Sequence, residues 1–168
     1  MSIVQSSDFT GEYKISTDKF SNLTAYIDKF EKFYLVRLLG ADLYDLFIAD
    51  LTVSTPQVPQ TSPYTEIYAP FHTDDNGCLR ISEGMVKMLV QFIYFHYLRD
   101  NLNKKTTSGV VQNMNENSTE KGYTGFNLVQ SYNEGVENYQ EIEWYICDNE
   151  TDDYPTYNGV TLDYTSGI

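Results

Sequence analysis

The chain has 168 residues, which is enough for one domain with a modest hydrophobic core. Its 24 acidic and 11 basic residues give a formal net charge of −13, which argues against a general nucleic-acid binder and against docking on anionic lipid. Apolar residues make up 41% and aromatic residues 15%, too many for a disordered acidic tail. We find no run of ~20 apolar residues that could span a bilayer, and no secretory signal is visible. The two cysteines, Cys78 and Cys147, cannot build a disulfide framework and fit a reducing compartment.

The first third of the sequence predicts an extended arm followed by two consecutive helices. Residues 1–16 lack apolar periodicity, so we expect them to form the N-terminal arm. Thr17 can cap a helix over Asp18–Leu39, because apolar side chains recur there at helical spacing on one face. Gly40 can adopt the left-handed conformation that ends a helix, and a shorter helix is expected over Ala41–Asp50.

The middle of the sequence predicts a long loop and a hairpin. Four prolines fall within residues 52–70, and proline removes backbone donors, so we expect a surface loop without a regular element. Asn76-Gly77 favours a tight turn and predicts a short β-hairpin over residues 71–81. The same residues have a superficial calcium-loop spacing, but His72 replaces the first carboxylate, so the hairpin is the favoured interpretation.

The second half predicts two more helices. A helix over Glu83–Leu102 is apolar almost all round, so it must be covered on every side, and part of it is expected to face another subunit. Residues 103–122 are polar and are expected to form a mobile loop before a helix over Phe126–Asp148. Residues 150–168 are expected to form an extended tail. The predicted fold is therefore mainly α: a small bundle of about four helices over residues 17–149, with a short β-hairpin and extended N- and C-terminal arms.

Charge is one-sided in the second half, where no Lys or Arg follows Gly122. Four acids form a stripe on the last predicted helix, opposite its apolar face: Glu134, Glu137, Glu141 and Asp148. One interpretation is a solvated helix face. The other is an acidic wall that repels DNA phosphates or docks a basic partner. Like charges one turn apart repel each other, and no cation nearby in sequence offsets them, which favours the wall.

Glu143 differs from the stripe because it falls on the apolar side of the same helix. A buried carboxylate needs a partner, and Arg99 lies on the corresponding side of the preceding helix. The sequence therefore predicts a buried ion pair between Arg99 and Glu143. A catalytic role for a lone carboxylate is disfavoured, because no second acid or nucleophile is placed near it in sequence.

The predicted tail is too poor in periodic apolar residues to fold alone, yet it carries five aromatic or aliphatic side chains: Tyr154, Tyr157, Val160, Leu162 and Tyr164. Such a segment can gain order by adding a strand to a partner or by docking in its groove. We therefore expect the tail to order on an adjacent subunit.

Motifs that carry chemistry are missing from the sequence. There is no nucleophile elbow, phosphate-binding loop or zinc-protease motif, and the histidines and cysteines have no zinc-ligand spacing. This lowers the enzyme hypothesis without excluding it, and no metal, cofactor or catalytic residue is predicted.

Glycine and aromatic patterns along most of the chain resemble the head–tail connector proteins of tailed phages of gut Bacteroidetes, including the crAss-like phages. The segments that carry the resemblance are Phe9-Thr10-Gly11-Glu12-Tyr13, Tyr26 to Glu31, Leu38 to Tyr44, Ser82 to Leu89, Tyr94-Phe95, Thr107 to Val110, Tyr132 to Gly135 and Tyr154 to Gly159. The proline-rich and Asn-rich loops depart from the pattern, which leaves open which ring of the neck the chain would form.

The resemblance implies a non-enzymatic structural virion protein: a portal adaptor that forms a homo-oligomeric ring, expected to be a dodecamer. Its partners would be the portal protein above and further neck or tail proteins below, with no membrane involved. It would be assembled in the host cytoplasm and act in the virion neck, where DNA passes through the ring during ejection without specific binding. The acidic stripe would then line the channel. The alternatives are a tail-completion protein, or a small soluble phage enzyme or regulator.

Overall fold

The computed structural model describes residues 2–15, 22–75, 77–106, 109–112, 121–149 and 153–165. In this part of the chain there are four α-helices: α1 (Leu23–Asp50), α2 (Ser62–Tyr68), α3 (Met85–Leu102) and α4 (Lys121–Asp148). Two antiparallel hairpins are formed by β1 (Phe71–Asp75) with β2 (Cys78–Ser82), and by β3 (Asn103–Thr106) with β4 (Gly109–Gln112). The predicted mainly helical fold with a short hairpin is confirmed.

Helix α1 contains the predicted break at Gly40, whose φ of 75° and ψ of 170° are not helical. A positive φ of this kind favours glycine, because glycine has no Cβ that would clash with the backbone. A Cβ at position 40 would lie 1.6 Å from Oδ1 of Asn158, so the C-terminal segment crosses α1 at this break. The predicted helix start at Asp18 and the cap Thr17 lie outside the described residues.

Helix α2 contradicts the prediction that residues 52–70 hold no regular element. Pro63 lies in the first turn of α2, where a missing N–H breaks no intrahelical hydrogen bond, so this proline starts a helix. The Asp50 carboxylate at the end of α1 accepts hydrogen bonds from the backbone N–H groups of Gln60 (2.7 Å) and Thr61 (2.9 Å). These bonds tie the proline-rich segment back to α1.

The β1–β2 hairpin forms as predicted, with a register that runs from Phe71 opposite Ser82 to Asp75 opposite Cys78. Oδ1 of Asp74 accepts a hydrogen bond of 2.8 Å from the Gly77 N–H, which holds the turn. The hairpin packs against α4 through Arg80, while the side chains of Leu79 and Ile81 point outward.

The segment predicted as a loop over residues 103–122 contains a second hairpin, and α4 begins at Lys121 instead of Phe126. For the two strands the loop prediction was wrong, because the polar composition hid the strand signal, and residues 107–108 and 113–120 lie outside the described residues. Thr106, Val110 and Val111 are β-branched, and such residues favour strands.

Helix α3 is the centre of the core, packed between α1 and α4. Its buried apolar side chains are Met85, Met88, Leu89, Val90, Phe92, Ile93, Phe95 and Tyr97. No second subunit is needed to cover these side chains, because other elements of the same chain already bury them. None of the helices in the described part of the chain has the length and apolar character that a bilayer crossing demands.

The N-terminal arm packs into this core instead of projecting from it. Residues 2–15 include two 3₁₀ turns, Ser6–Asp8 and Gly11–Tyr13, and bury five apolar side chains: Ile3, Val4, Phe9, Tyr13 and Ile15. The buried Glu31 carboxylate accepts hydrogen bonds from the Ser2 hydroxyl and from the N–H groups of Ile3 (3.3 Å) and Val4 (3.0 Å). Burial raises the pKa of Glu31 even though these hydrogen bonds oppose the shift.

Three hydrogen-bonded residues, which we call the polar cluster, connect α3 to α4: Glu83 just before α3, Gln91 on α3 and Asn138 on α4. The Asn138 amide donates to Oε1 of Gln91 (2.9 Å) and accepts from the Glu83 N–H (2.7 Å). The Gln91 amide donates to the Glu83 carboxylate (3.3 Å), and its backbone carbonyl accepts from the Ser131 hydroxyl (2.9 Å). Because each group needs its partner at a fixed position, the cluster sets the register of α3 against α4.

Candidate interaction surfaces

The predicted acidic stripe of α4 is divided by the structure. Glu137 and Asp148 are exposed to solvent, as a stripe facing outward requires. Glu134 is half-buried, and its carboxylate accepts hydrogen bonds from the Tyr13 hydroxyl and from the Gln130 amide (2.7 Å). Burial and this carboxylate raise the pKa of Tyr13. Glu134 therefore helps to hold the N-terminal arm on α4.

Glu141 is also bound within the chain. Its Oε1 lies 3.3 Å from Nη1 of Arg80 on the β1–β2 hairpin, and the Arg80 guanidinium stacks on Trp144, 4.9 Å from the ring centroid. No cation near in sequence offsets the stripe, but Arg80, which is distant in sequence, is near in space and pairs with one of its acids. Only Glu137 and Asp148 of the four predicted acids are left exposed.

The predicted ion pair between Arg99 and Glu143 does not form. Arg99 pairs with its sequence neighbour Asp100, with Nη2 and Oδ1 3.0 Å apart. Glu143 is half-buried, and its Oε1 accepts a hydrogen bond of 2.6 Å from the Thr161 hydroxyl. Helical periodicity placed Glu143 on the inward side correctly, but the C-terminal segment inserts there.

The C-terminal segment 153–165, which we call the strap, lies across α1 and α4 of its own chain. Of the five predicted docking side chains, Tyr154 and Leu162 are buried, Tyr157 is half-buried, and Val160 and Tyr164 are exposed. Tyr154 donates its hydroxyl hydrogen bond to the Pro63 carbonyl. The prediction that the tail needs an adjacent subunit to become ordered is wrong for these residues, because the chain supplies the groove itself.

Backbone hydrogen bonds anchor the strap to both helices. The Val160 N–H donates to the Arg37 carbonyl of α1 (2.7 Å), and the Val160 carbonyl accepts from the Tyr139 hydroxyl of α4. The Asn133 side chain bonds both the N–H (2.9 Å) and the carbonyl (3.0 Å) of Thr165. A Cβ at Gly159 would lie 2.2 Å from the Leu38 carbonyl oxygen, so the strap can approach α1 only through a glycine.

The strap forms one wall of a cavity of about 320 Å³, which we call the arginine–aromatic cavity. Phe33 and Arg37 of α1, His96 and Arg99 of α3, and Leu162 and Thr165 of the strap are among the residues that line it. The Arg37 guanidinium lies over Phe33, 4.2 Å from the ring centroid, and that of Arg99 lies 5.4 Å from Phe95. Within the described residues no carboxylate lies within ion-pair distance of Arg37.

His96 is the buried member of this cavity. Its ring stacks on Phe30 with centroids 3.7 Å apart, and its Nε2 lies 2.8 Å from the Tyr34 hydroxyl. Burial and the nearby Arg99 lower the pKa of His96 to about 4, so the ring is neutral at pH 7. Its Nδ1 is buried without a hydrogen-bond partner in the described part of the chain. Neutral imidazole, two guanidiniums and aromatic rings suit recognition of an acidic group flanked by apolar side chains.

Sequence reasoning did not find this cavity, although two signals were present. Phe33 with Arg37 and Phe95 with Arg99 are both aromatic–arginine pairs at i,i+4 spacing, which brings the two side chains together on a helix face. That both pairs meet at one cavity depends on the packing of α1 against α3.

A second cavity, of about 230 Å³, lies between the N-terminal arm and α4, with Glu12, Tyr13 and Glu134 among its lining residues. Its acids are bound to Tyr13 or exposed, and the Lys87 ammonium lies 4.3 Å from the Tyr13 ring centroid. In the described ranges, no group of three or more His, Cys, Asp or Glu side chains is placed to hold a metal ion.

Comparisons with models of protein families, with curated proteins and with solved structures find no match to this chain.

Proposed function

We propose that the chain is a structural virion protein that forms a ring in the neck of a tailed phage, joins the portal to the tail and lets DNA pass. The segments that resemble head–tail connector proteins support this assignment. The mainly helical fold is compatible with it. The role needs no cofactor and no catalytic group, and it places the protein in the virion neck after assembly in the host cytoplasm.

The observation that carries the proposal is the one-sided charge of α4 and the strap. After Lys121, the first residue of α4, the sequence has no Lys or Arg, and the exposed acids of α4 and the strap are Glu137, Asp148, Asp153 and Asp163. A channel that conducts DNA must not hold it. Lys or Arg on its wall would bind each passing phosphate, whereas acids keep the contact loose.

A ring brings copies of this acidic face together, and the resulting repulsion must be tolerated. At physiological salt the screening length is about 8 Å, so acids on adjacent copies repel only weakly when they lie farther apart than this. Glu134 and Glu141 are bound by Tyr13 and Arg80, so Glu137 and Asp148 are the members of the predicted stripe that can face the channel.

The test changes the exposed acids and leaves the bound ones intact. The double variant Glu137→Lys/Asp148→Lys is compared with Asp42→Lys/Asp45→Lys, which makes the same change in charge at exposed positions of α1. Both proteins should assemble with the portal protein, as seen by electron microscopy. Particles that carry the α4 variant should retain DNA and fail to eject it, whereas the α1 variant should behave as the wild type.

Three outcomes would contradict the proposal. Normal infectivity of particles whose rings contain the α4 variant would remove the acidic face from the channel. Binding to the tail but not to the portal would favour a tail-completion protein. A wild-type chain that forms no ring and binds neither partner would favour the small soluble enzyme or regulator.

A further inference from the structure

The β1–β2 hairpin has an outward face that the other described residues leave uncovered. Leu79 and Ile81 alternate with Arg80 along β2, so they share one face of the hairpin, and they are 65% and 56% exposed. Asp74 lies opposite Leu79 in the register and is also exposed. Two large aliphatic side chains beside one carboxylate make a compact apolar and acidic projection.

The arginine–aromatic cavity has the complementary character. Phe33 on its rim is 42% exposed, and the Arg37 guanidinium above that ring has no carboxylate partner among the described residues. His96 lines the same cavity and is nine-tenths buried, with an Nδ1 that finds no partner in the described part of the chain. The chain has a net charge of −13, so an arginine without a carboxylate partner among the described residues is a distinctive feature. Together with the exposed aromatic ring beneath it, this arginine is complementary to a segment that is both acidic and apolar.

The two features lie on opposite sides of α4, so they cannot meet within one chain. Phe95 contacts Tyr132 on the cavity side, whereas Arg80 of the hairpin pairs with Glu141. Tyr132 and Glu141 are nine positions apart, which at about 100° per residue places their side chains on opposite sides of α4. They are also separated by roughly 14 Å along the helix axis. A surface and its complement on opposite sides of one subunit generate a head-to-tail contact, which closes into a ring when the rotation allows it.

From these observations we infer that the arginine–aromatic cavity receives the β1–β2 hairpin of a second copy of this chain. Leu79 and Ile81 contact Phe33 and Phe95 of the neighbour, and the Asp74 carboxylate pairs with the neighbour's Arg37. The Asp74 carboxylate can hold its own turn and the partner at once, because Oδ1 accepts from the Gly77 N–H and Oδ2 accepts no hydrogen bond from the other described residues. This inference rests on the proposed ring, for which it supplies the contact between subunits.

A contact made by two aliphatic side chains and one ion pair is weak when it acts alone. In a closed ring each subunit is held by two such contacts, and the last one forms within a single assembly at high effective concentration. Rings should therefore form cooperatively, with few intermediates of two or three subunits.

Charge exchange tests the pairing directly. Arg37→Asp and Asp74→Arg should each shift the concentration at which rings form upward by at least about tenfold, because each places like charges together. Mixing the two variants in equal amounts should restore rings, since each then offers a charge that suits the other. Light scattering gives the mass, and circular dichroism checks the fold.

Two control variants separate charge from local structure. Asp74→Asn keeps an amide oxygen for the Gly77 N–H and removes only the charge, so it should weaken assembly with an intact hairpin. Lys32→Asp makes the same change in charge as Arg37→Asp at an exposed position of α1 outside the cavity, and should assemble as the wild type.

A disulfide cross-link tests the geometry. Cys78 lies next to Leu79 on the exposed hairpin, and Thr165 lines the cavity, so Thr165→Cys in a Cys147→Ser background should cross-link to Cys78 of the next copy. Oxidation should give a ladder of multimers that Cys78→Ser abolishes. Rings that form without a ladder, or that resist both charge changes, would overturn the inference and leave the proposed ring standing. A wild-type chain that stays monomeric with and without the portal would overturn both.

Discussion

The two sides of α3 differ in whether their polar side chains have partners within the described residues. In the polar cluster, Gln91 and Asn138 are buried, and each side-chain amide finds partners on α3, α4 or the N-terminal arm. In the arginine–aromatic cavity, Arg37 has no carboxylate among the described residues, and the buried His96 has an Nδ1 without a partner there. An unsatisfied buried polar atom costs stability, and native proteins keep few of them.

The difference indicates two kinds of site. The polar cluster is complete within the chain, so its role is to fix how α3 packs against α4. The cavity is incomplete within the described residues, so the Arg37 guanidinium and Nδ1 of His96 are available to something else. Changes in the cluster should therefore cost stability, whereas changes at Arg37 should cost association and leave the fold intact.

The largest effect is expected for Asn138→Leu, which removes the partner of the Glu83 N–H and of the Gln91 amide oxygen. Leaving the buried Gln91 amide oxygen and the partly buried Glu83 N–H unpaired should lower the free energy of unfolding by roughly 2–4 kcal/mol in urea titrations. Asn149→Leu is the matched control, because that amide donates to the Tyr145 carbonyl at the end of α4 and its loss should cost below about 1 kcal/mol. Equal losses would show that the cluster has no special role.

The next effect concerns pH and His96. The folded chain holds the pKa of this imidazole at about 4, below its ordinary value of 6.5, because of burial and the nearby Arg99 and Lys29, with Asp100 opposing. The unfolded state then binds the proton more readily, so stability is complete above pH 6.5 and falls as the pH drops towards 4. The loss should reach roughly 3 kcal/mol.

The variant His96→Gln isolates this contribution, because glutamine can bond Tyr34 but cannot titrate. Glu31, whose pKa is raised, acts in the opposite direction in acid, so the loss between pH 7 and pH 4 should be compared between variants. The wild type should lose more stability than His96→Gln, and His72→Gln on the exposed hairpin controls for removal of a histidine. If the stability of wild type and His96→Gln changes equally between pH 7 and pH 4, titration of His96 does not contribute to the loss.

A smaller effect is expected for Gly159→Ala, which acts on the wall of the cavity. The added methyl group would lie 2.2 Å from the Leu38 carbonyl oxygen, so the strap must shift away from α1. We expect a loss of about 2 kcal/mol and faster hydrogen exchange at the Val160 N–H, which bonds Arg37. Exchange at amides of α3 should change less, and a uniform change across the chain would show that the strap does not loosen by itself.

The smallest effect on stability is expected for Arg37→Met. Methionine keeps the contact with Phe33 and loses the cation–π interaction, which should cost below about 1 kcal/mol. Arg80→Met is the matched comparison, since it also breaks the ion pair with the half-buried Glu141 and should cost more. The reverse order in thermal or urea unfolding would contradict the view that Arg37 is dispensable for the fold.

Features set by local physics could be predicted from the sequence. The break at Gly40 and the β1–β2 turn depend on glycine at positive φ, and the faces of α4 depend on helical periodicity. The proline-rich segment was misjudged because Pro63 stands at a helix start, the one region of a helix where proline is favoured.

Features set by packing could not be predicted in this way. Periodicity identifies the inward side of α4 but not what lies against it, so Glu143 was assigned to Arg99 and bonds Thr161 instead. Composition shows that the tail needs apolar cover, but the groove that covers Tyr154 and Leu162 belongs to the same chain. The cavity combines α1, α3 and the strap, and only the folded chain brings them together.

A map of the wild-type chain assembled on the portal, obtained by electron cryomicroscopy, tests the central claim most directly. The account predicts a closed ring, expected to have twelve copies, in which Asp74, Leu79 and Ile81 of each subunit enter the cavity beside Arg37 of the next. Glu137 and Asp148 should face the lumen. A ring whose cavities open to solvent, or whose lumen is lined by other elements, would contradict the account.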